Sequence, residues 1–377
     1  MIPYGRQDIG EEDIQSVAEA LRGDFLTTGS KVEEFEELLR TFIGNDCIVV
    51  NSGTAALHSA YYGIDIKPGD EIITPPNTFI ATQATATMLG ARIVFADIDI
   101  QTGLISRHEV AEKITERTKA IVLVDYAGQP CDIDFFTSLA KNHGLFIVQD
   151  AAHSLGSTYK NRQVGSLVDV TTFSFYPTKN ITTGEGGAIA SKNKTILSRA
   201  KLFARQGLVR DPNLFLYKNE GNWHQEVHDF GLNYRLPDIL CALGISQLKK
   251  IQVFKEIRKS IFEKYKKAFE KFDYVRTISV EEYSDPMWHL FPIFVDRKVR
   301  GDLFRYLQSA GIGVRVNYFP SHLHPVFRKQ GFEVGDCKNA EAFYETEISL
   351  PIHTRMKSSE IEHVIQSVKL FFGETCT

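Results

Sequence analysis

The sequence predicts an α/β protein with a mostly parallel central sheet and a smaller α+β domain at its C-terminal end. Two patterns carry that expectation. Between Cys47 and Ser191, seven short apolar runs rich in Val and Ile alternate with helical patterns, as strands buried on both faces and joined by crossover helices do. After Ser191 the pattern changes to longer, charged helices. The 377 residues suffice for two domains with a large core.

Taken in order, Glu11–Arg22 carries Ile14, Val17, Ala18 and Leu21 at helical spacing. The stretch Gly23–Gly29 breaks that helix, and Val32–Ile43 resumes with Phe35, Leu38, Leu39 and Phe42 on one stripe. Strands are expected at Ile48–Val50, Glu71–Thr74, Ile93–Ala96, Ala120–Val124, Phe146–Gln149, Thr171–Phe175 and Ala188–Ser191. Pro237–Gln252 and Glu256–Phe269 read as helices connecting two domains. Beyond them, Trp288–Val295 and Gly313–Asn317 read as strands, and Gly301–Ala310 and Ser358–Phe372 as helices. The expected division is therefore a large domain over residues 1–249 and a small one over 250–377.

A hydrophobic content of 43%, a charged content of 24% and a net charge of −4 are ordinary and give no support to binding of nucleic acid or an anionic membrane. No apolar run is long enough to span a bilayer, and Met1–Gln7 lacks the apolar core of a signal peptide. Cys47, Cys131, Cys241, Cys337 and Cys376 are an odd, scattered set without metal-ligand spacing. Reduced thiols, a cytoplasmic protein and no metal site are expected.

The chemistry concentrates around Lys179. It follows a short strand and Pro177, and precedes a glycine-rich return through Gly184, Gly186 and Gly187. Asp150 ends a neighbouring strand. A turn lysine among glycines with such an aspartate suits pyridoxal phosphate: the lysine would hold the cofactor aldehyde as a Schiff base, and the aspartate would pair with the pyridinium nitrogen. Ser52-Gly53-Thr54 stands between a strand and a helix, a natural phosphate cradle, although serine there is also an ordinary helix cap. Ser174 could donate to the phosphate, Phe79 could stack on the ring, and His153 could reach the phenolic oxygen. Walker and G-x-G-x-x-G motifs are absent, which leaves mononucleotide hydrolysis and nicotinamide chemistry little support.

Together, Asp150-Ala151-Ala152-His153, Phe173-Ser174-Phe175 with Lys179, Gly184-Glu185-Gly186-Gly187 and Gly231-Leu232-Asn233-Tyr234-Arg235-Leu236 resemble the DegT-type nucleotide-sugar aminotransferases. The resemblance implies the pyridoxal-phosphate fold type I of aspartate aminotransferase and homodimers with composite sites. It implies Lys179 as the cofactor lysine, Asp150 at the ring nitrogen, His153 near the phenolic oxygen and Phe79 in the stacking position. Ser52, Gly53, Thr54 and Ser174 fall at the phosphate, with Asn233 reaching it from the other subunit. Tyr4–Gln7, Asp24–Thr27, Val124–Asp132 and Cys241–Leu248 are similar to the pseudaminic acid branch. That implies a UDP-linked 4-keto sugar and L-glutamate as substrates, with Tyr4, Thr27 and the segment Arg315–Tyr318, including Asn317, at the sugar. Tyr176 and Asn317 stand where that family more often has histidine. The alternatives are amination of another nucleotide-linked 3- or 4-keto sugar, a dehydratase of the same family, and a non-catalytic regulator that binds the cofactor.

Overall fold

The computed structural model describes residues 1–218 and 220–373. Its main sheet has seven strands: β1 (Cys47–Val50), β2 (Glu71–Thr74), β3 (Arg92–Phe95), β4 (Thr118–Val124), β5 (Phe146–Asp150), β6 (Val170–Ser174) and β7 (Gly187–Ala190). They lie in the order β1-β7-β6-β5-β4-β2-β3. β2 to β6 run parallel, and β7 is antiparallel to both its neighbours. Every residue of β1, β2 and β7 is buried, which is why these strands read as continuous apolar runs rather than alternating ones. All seven expected runs form this sheet, with ends shifted by one or two residues.

The C-terminal part builds a second, antiparallel sheet from β8 (Arg276–Thr277), β9 (Phe291–Phe294) and β10 (Glu347–Leu350). Helices Arg297–Ser309 and Ser358–Phe371 pack on one another beside it. Phe262 of helix Ile251–Phe269 stacks on Trp288 with ring centroids 3.6 Å apart. Arg258, on the same helix, is buried and donates to the carbonyls of Trp288 and Ile352 at 3.1 and 3.0 Å.

Three expectations need correction. Gly313–Asn317 is no strand: among the described residues its backbone-to-backbone contacts are an isolated bridge from Arg315 to Ser349 and one bond from Gly313 N–H to Ile2. With one bonded position no ladder forms, so apolar alternation alone misleads. Trp288–Val295 contributes only Phe291–Phe294 to the sheet, the residues that pair with β10. The connecting helices run Asp238–Leu248 and Ile251–Phe269 and meet at Lys249–Lys250, where Lys250 ion-pairs with Glu12 and Asp13 of helix Glu11–Arg22.

Two features position the cavity described next. The strands β2, β5 and β6 end on one side of the sheet, where open α/β sheets place ligands. The N-terminal segment crosses to the C-terminal part, where Ile2 bridges Ile312, and so carries Tyr4 to the same side. Among the described residues, Cys47, Cys131, Cys241 and Cys337 are buried and free; Cys376 lies outside them. No helix of the described residues is long and apolar enough to cross a membrane.

Candidate active site

A cavity of about 510 Å³ opens at the strand ends, within the range of roughly 300–1,000 Å³ usual for small-molecule sites. Its wall includes Ser52, Gly53, Thr54, Phe79, Asp150, His153, Ser174 and Lys179, and also Tyr4, Tyr176, Asn317 and Tyr318. The expected cofactor residues, apart from Asn233, thus share one chamber.

The lysine loop is fixed by its own backbone. Phe175 accepts from Thr183 N–H, and its own N–H donates to Gly186, so the chain folds back over Lys179. Gly184 takes φ +80° at the turn, a conformation glycine adopts at no steric cost. Asn180 Nδ2 donates to the carbonyls of His153 and Leu155 at 2.8 and 3.0 Å, which ties this loop to the end of β5. Burial lowers the Lys179 ammonium to about 8, with attraction to Asp150 opposing the shift. A substantial fraction of the amine is therefore neutral near physiological pH.

Asp150 is buried. Thr82 Oγ1 donates to its Oδ2 at 2.7 Å and Ala152 N–H to its Oδ1 at 3.2 Å. Burial raises this carboxyl, and those two hydrogen bonds hold it down. A second buried carboxyl, Asp125, accepts from Ser154 and Gln149 at 2.6 and 2.8 Å and is pushed up to about 7 by burial. His153 Nε2 lies 3.1 Å from Tyr318 Oη, while its buried Nδ1 has no partner. Burial lowers His153 well below the usual imidazole range. It sits in the turn after β5.

At the phosphate end, Ser52 caps helix Gly53–Gly63, its Oγ accepting from Ala55 N–H at 3.0 Å. Ser52 is thus a helix cap, and it stands with Gly53 and Thr54 on the cavity wall at a helix N-terminus, where backbone N–H groups lack intrahelical partners. A Cβ on Gly53 would lie 2.8 Å from Ser174 Cβ, and one on Gly187 would lie 2.5 Å from the Ser52 carbonyl. Both glycines are required by that approach of the helix end to β6 and β7. The arrangement fits pyridoxal phosphate. It offers a partly neutral lysine amine, a buried carboxyl suited to a cationic ring nitrogen, hydroxyls and a helix N-terminus for the phosphate, and Phe79, 61% exposed and free to stack.

Three predicted residues lie off this wall in the single chain. Thr27 is exposed, Arg315 is exposed with its backbone bridging Ser349 of β10, and Asn233 is exposed with its carbonyl accepting from Asn51 Nδ2 at 3.3 Å. Thr82, Glu185 and His289 are on the wall without having been singled out in the sequence. For Thr82 the only signal is its place on the helix that follows the β2 loop.

The family model described as the DegT/DnrJ/EryC1/StrS aminotransferase family matches residues 7–369. The spore coat polysaccharide biosynthesis protein SpsC of Bacillus subtilis is 37% identical over 375 residues, 98% of this chain and 96% of that one. The UDP-4-amino-4,6-dideoxy-N-acetyl-beta-L-altrosamine transaminase of Campylobacter jejuni is 38% identical over 370 residues, 97% and 96%. Among solved structures, Helicobacter pylori PseC, an aminotransferase involved in the biosynthesis of pseudoaminic acid, superposes with a TM-score of 0.92 at 33% identity, covering 98% of this chain and 99% of that one.

Proposed function

The chain belongs to the DegT/DnrJ/EryC1/StrS aminotransferase family and is a pyridoxal-phosphate-dependent sugar transaminase of fold type I; on that premise we propose its substrates and the roles of its residues. It transfers the amino group of L-glutamate to C4 of a UDP-linked 2-acetamido-2,6-dideoxy-4-keto-hexose of β-L-arabino configuration. The product is UDP-4-amino-4,6-dideoxy-N-acetyl-β-L-altrosamine, for pseudaminic acid biosynthesis. The observation that carries this reading is the likeness to the Campylobacter jejuni transaminase over nearly the whole of both chains. The likeness to SpsC at similar identity supports a second reading, amination of another nucleotide-linked keto sugar.

When bound, the cofactor supplies an electrophilic carbon and an electron sink. Lys179 Nζ would hold it and, as a free amine, would carry the proton from the donor's α-carbon; burial gives the amine its neutral fraction. Asp150, whose burial-raised carboxyl is held down by bonds from Thr82 and Ala152, would pair with the cationic ring nitrogen. His153, linked to Tyr318, would serve the ring's phenolic oxygen, and Phe79 would stack on the ring. Ser52, Gly53, Thr54 and Ser174 hold the phosphate. Tyr4, Tyr176, Asn317 and Tyr318 line the sugar end. Asn233, exposed and off the wall of its own chain's cavity, completes the partner's site in a homodimer, and Thr27 and Arg315 border the nucleotide. The enzyme is cytoplasmic.

The test is a panel of UDP- and dTDP-linked 3-keto and 4-keto sugars with L-glutamate as donor. Turnover is expected to favour the β-L-arabino UDP sugar over its C5 epimer. Preference for a dTDP-linked 4-keto-6-deoxyglucose would overturn the substrate while leaving the transaminase intact.

A further inference from the structure

Behind the sugar end of the cavity lies a small polar cluster inside an otherwise apolar layer. Glu347 and Ser349 stand two residues apart on β10, on one face of the strand. Both are fully buried, and neither belongs to the cavity wall. The Asn317 backbone N–H donates to Glu347 Oε2 at 2.8 Å, and Ser349 Oγ is hydrogen-bonded to Glu347 Oε1. One end of the Asn317 amide faces inward, 2.7 Å from Tyr4 Oη and 3.0 Å from Ser349 Oγ. Tyr126 Oη donates to the Asn317 carbonyl at 2.8 Å. These contacts hold the side chain in place, yet they permit two amide orientations that present different atoms to the cavity.

We propose that Glu347 and Ser349 are positioning residues that decide, through the direction of one hydrogen-bond chain, whether Asn317 offers the sugar its Oδ1 acceptor or its Nδ2 donor. The proposal rests on the sugar role of Asn317 given above. Ser349 has a single hydroxyl proton. With Glu347 ionised, Ser349 donates to Oε1 and accepts from Nδ2, so Oδ1 faces the cavity. Oε2 is occupied as the acceptor for the Asn317 N–H, so a proton on the carboxyl sits on Oε1 and points at Ser349. Ser349 then donates to Oδ1, and Nδ2 turns to the sugar. Tyr4 Oη accompanies either state, because a phenol both donates and accepts.

Burial pushes the Glu347 carboxyl up to about 8, with the Ser349 and Asn317 hydrogen bonds and the charge of Arg300 opposing it, so both states lie within a working pH range. The other ionisable groups facing the cluster are Tyr4, Tyr126 and Tyr318. Burial holds all three phenols above their usual range, so they stay neutral while Glu347 titrates. Arg315 and the buried Arg258 are further cations nearby, both acting on Tyr4. In its acceptor state Asn317 suits a sugar hydroxyl or acetamido N–H. In its donor state it suits a carbonyl or ring oxygen.

The experiment measures binding of the UDP-linked 4-amino-sugar product to the holoenzyme by calorimetry, at pH values on both sides of 8. Wild type should change affinity by about 3- to 10-fold across the transition, the worth of one neutral hydrogen bond. In Glu347→Gln the amide oxygen can accept from Asn317 N–H while its NH2 donates permanently to Ser349. Affinity should then stay at the wild-type acidic value, without the step. Ser349→Ala, which cuts the chain, should lose the step as well, and in both variants KM should change for the sugar and not for glutamate. Parallel pH profiles for wild type and both variants, each shown to be folded by its melting curve, would overturn the proposal. If wild type binds only a dTDP-linked sugar, the substrate assignment fails, and the same comparison with that sugar still decides the role of Glu347.

Discussion

Among the described residues, Thr82 is the one neutral side chain that donates to Asp150, at 2.7 Å from Oδ2, and its own hydroxyl lies 2.9 Å from Thr78 Oγ1. Thr82→Val keeps the shape and removes the donor. A hydrogen bond to a charged group is worth about 1.5–3 kcal/mol, or roughly 1–2 pKa units at about 1.36 kcal/mol per unit. The loss acts on the charged form, so the Asp150 carboxyl moves further up from a position that burial has already raised. A larger fraction is then protonated near neutral pH and cannot face a cationic ring nitrogen. Cofactor affinity, measured by equilibrium dialysis, should fall about 10- to 100-fold. The acid limb of kcat/KM should move up by about one to two pH units, and Thr82→Ser should restore most of both. A Thr82→Val enzyme whose affinity and pH profile superimpose on wild type would refute the argument that Asp150 depends on this contact.

Four further outcomes are expected. Lys179→Ala should lose at least about 10²–10⁴-fold in turnover, and borohydride, which should link the cofactor to Lys179 in wild type, should leave the variant unlabelled by peptide mass. Gly53→Ala places a Cβ 2.8 Å from Ser174; the overpacking, about 1–3 kcal/mol, should appear as weaker cofactor retention on dialysis. Mixing inactive Lys179→Ala with an inactivating Asn233 variant should regenerate some activity if Asn233 serves the partner's site; no recovery in proven mixed dimers would refute that. Glu347 is held near 8 in the fold against 4.5 as its ordinary value. Its contribution to stability is therefore fully present below about 4.5 and lost as pH rises through about 8, so Glu347→Gln should flatten the decline in melting temperature across that interval.

The parts of the fold legible in the sequence were those with a continuous burial pattern. β1, β2 and β7 are buried at every position, so no register knowledge was needed to find them. Gly313–Asn317 misled because its backbone meets a different residue at each bonded position, Ile2 at Gly313 and Ser349 at Arg315, and pairing is a tertiary fact. In the site, Lys179 and Asp150 announce themselves by residue type at a turn and a strand end. Thr82 does not, because a threonine in the run Ala81–Met88 looks like any other small helix residue. The one trace of the cluster behind Asn317 was a Glu opening the otherwise apolar strand Glu347–Leu350 with Ser two positions later. That pattern shows a shared face but not what the face meets.

The strand order also sets a schedule for the growing chain. β1 lies at the edge of the sheet, with β7 as its only neighbour there. Roughly 140 residues separate the two, which at 5–20 residues per second is about 10–30 s of synthesis. Through that interval Ile48, Val49 and Val50 have no strand to pair with, and Ser52 and Gly53 have no Ser174 to face. The nascent chain therefore exposes an apolar β segment until the Lys179 loop has emerged, a window in which a holding chaperone would act. Cofactor captured during translation would be captured only after β7 is complete.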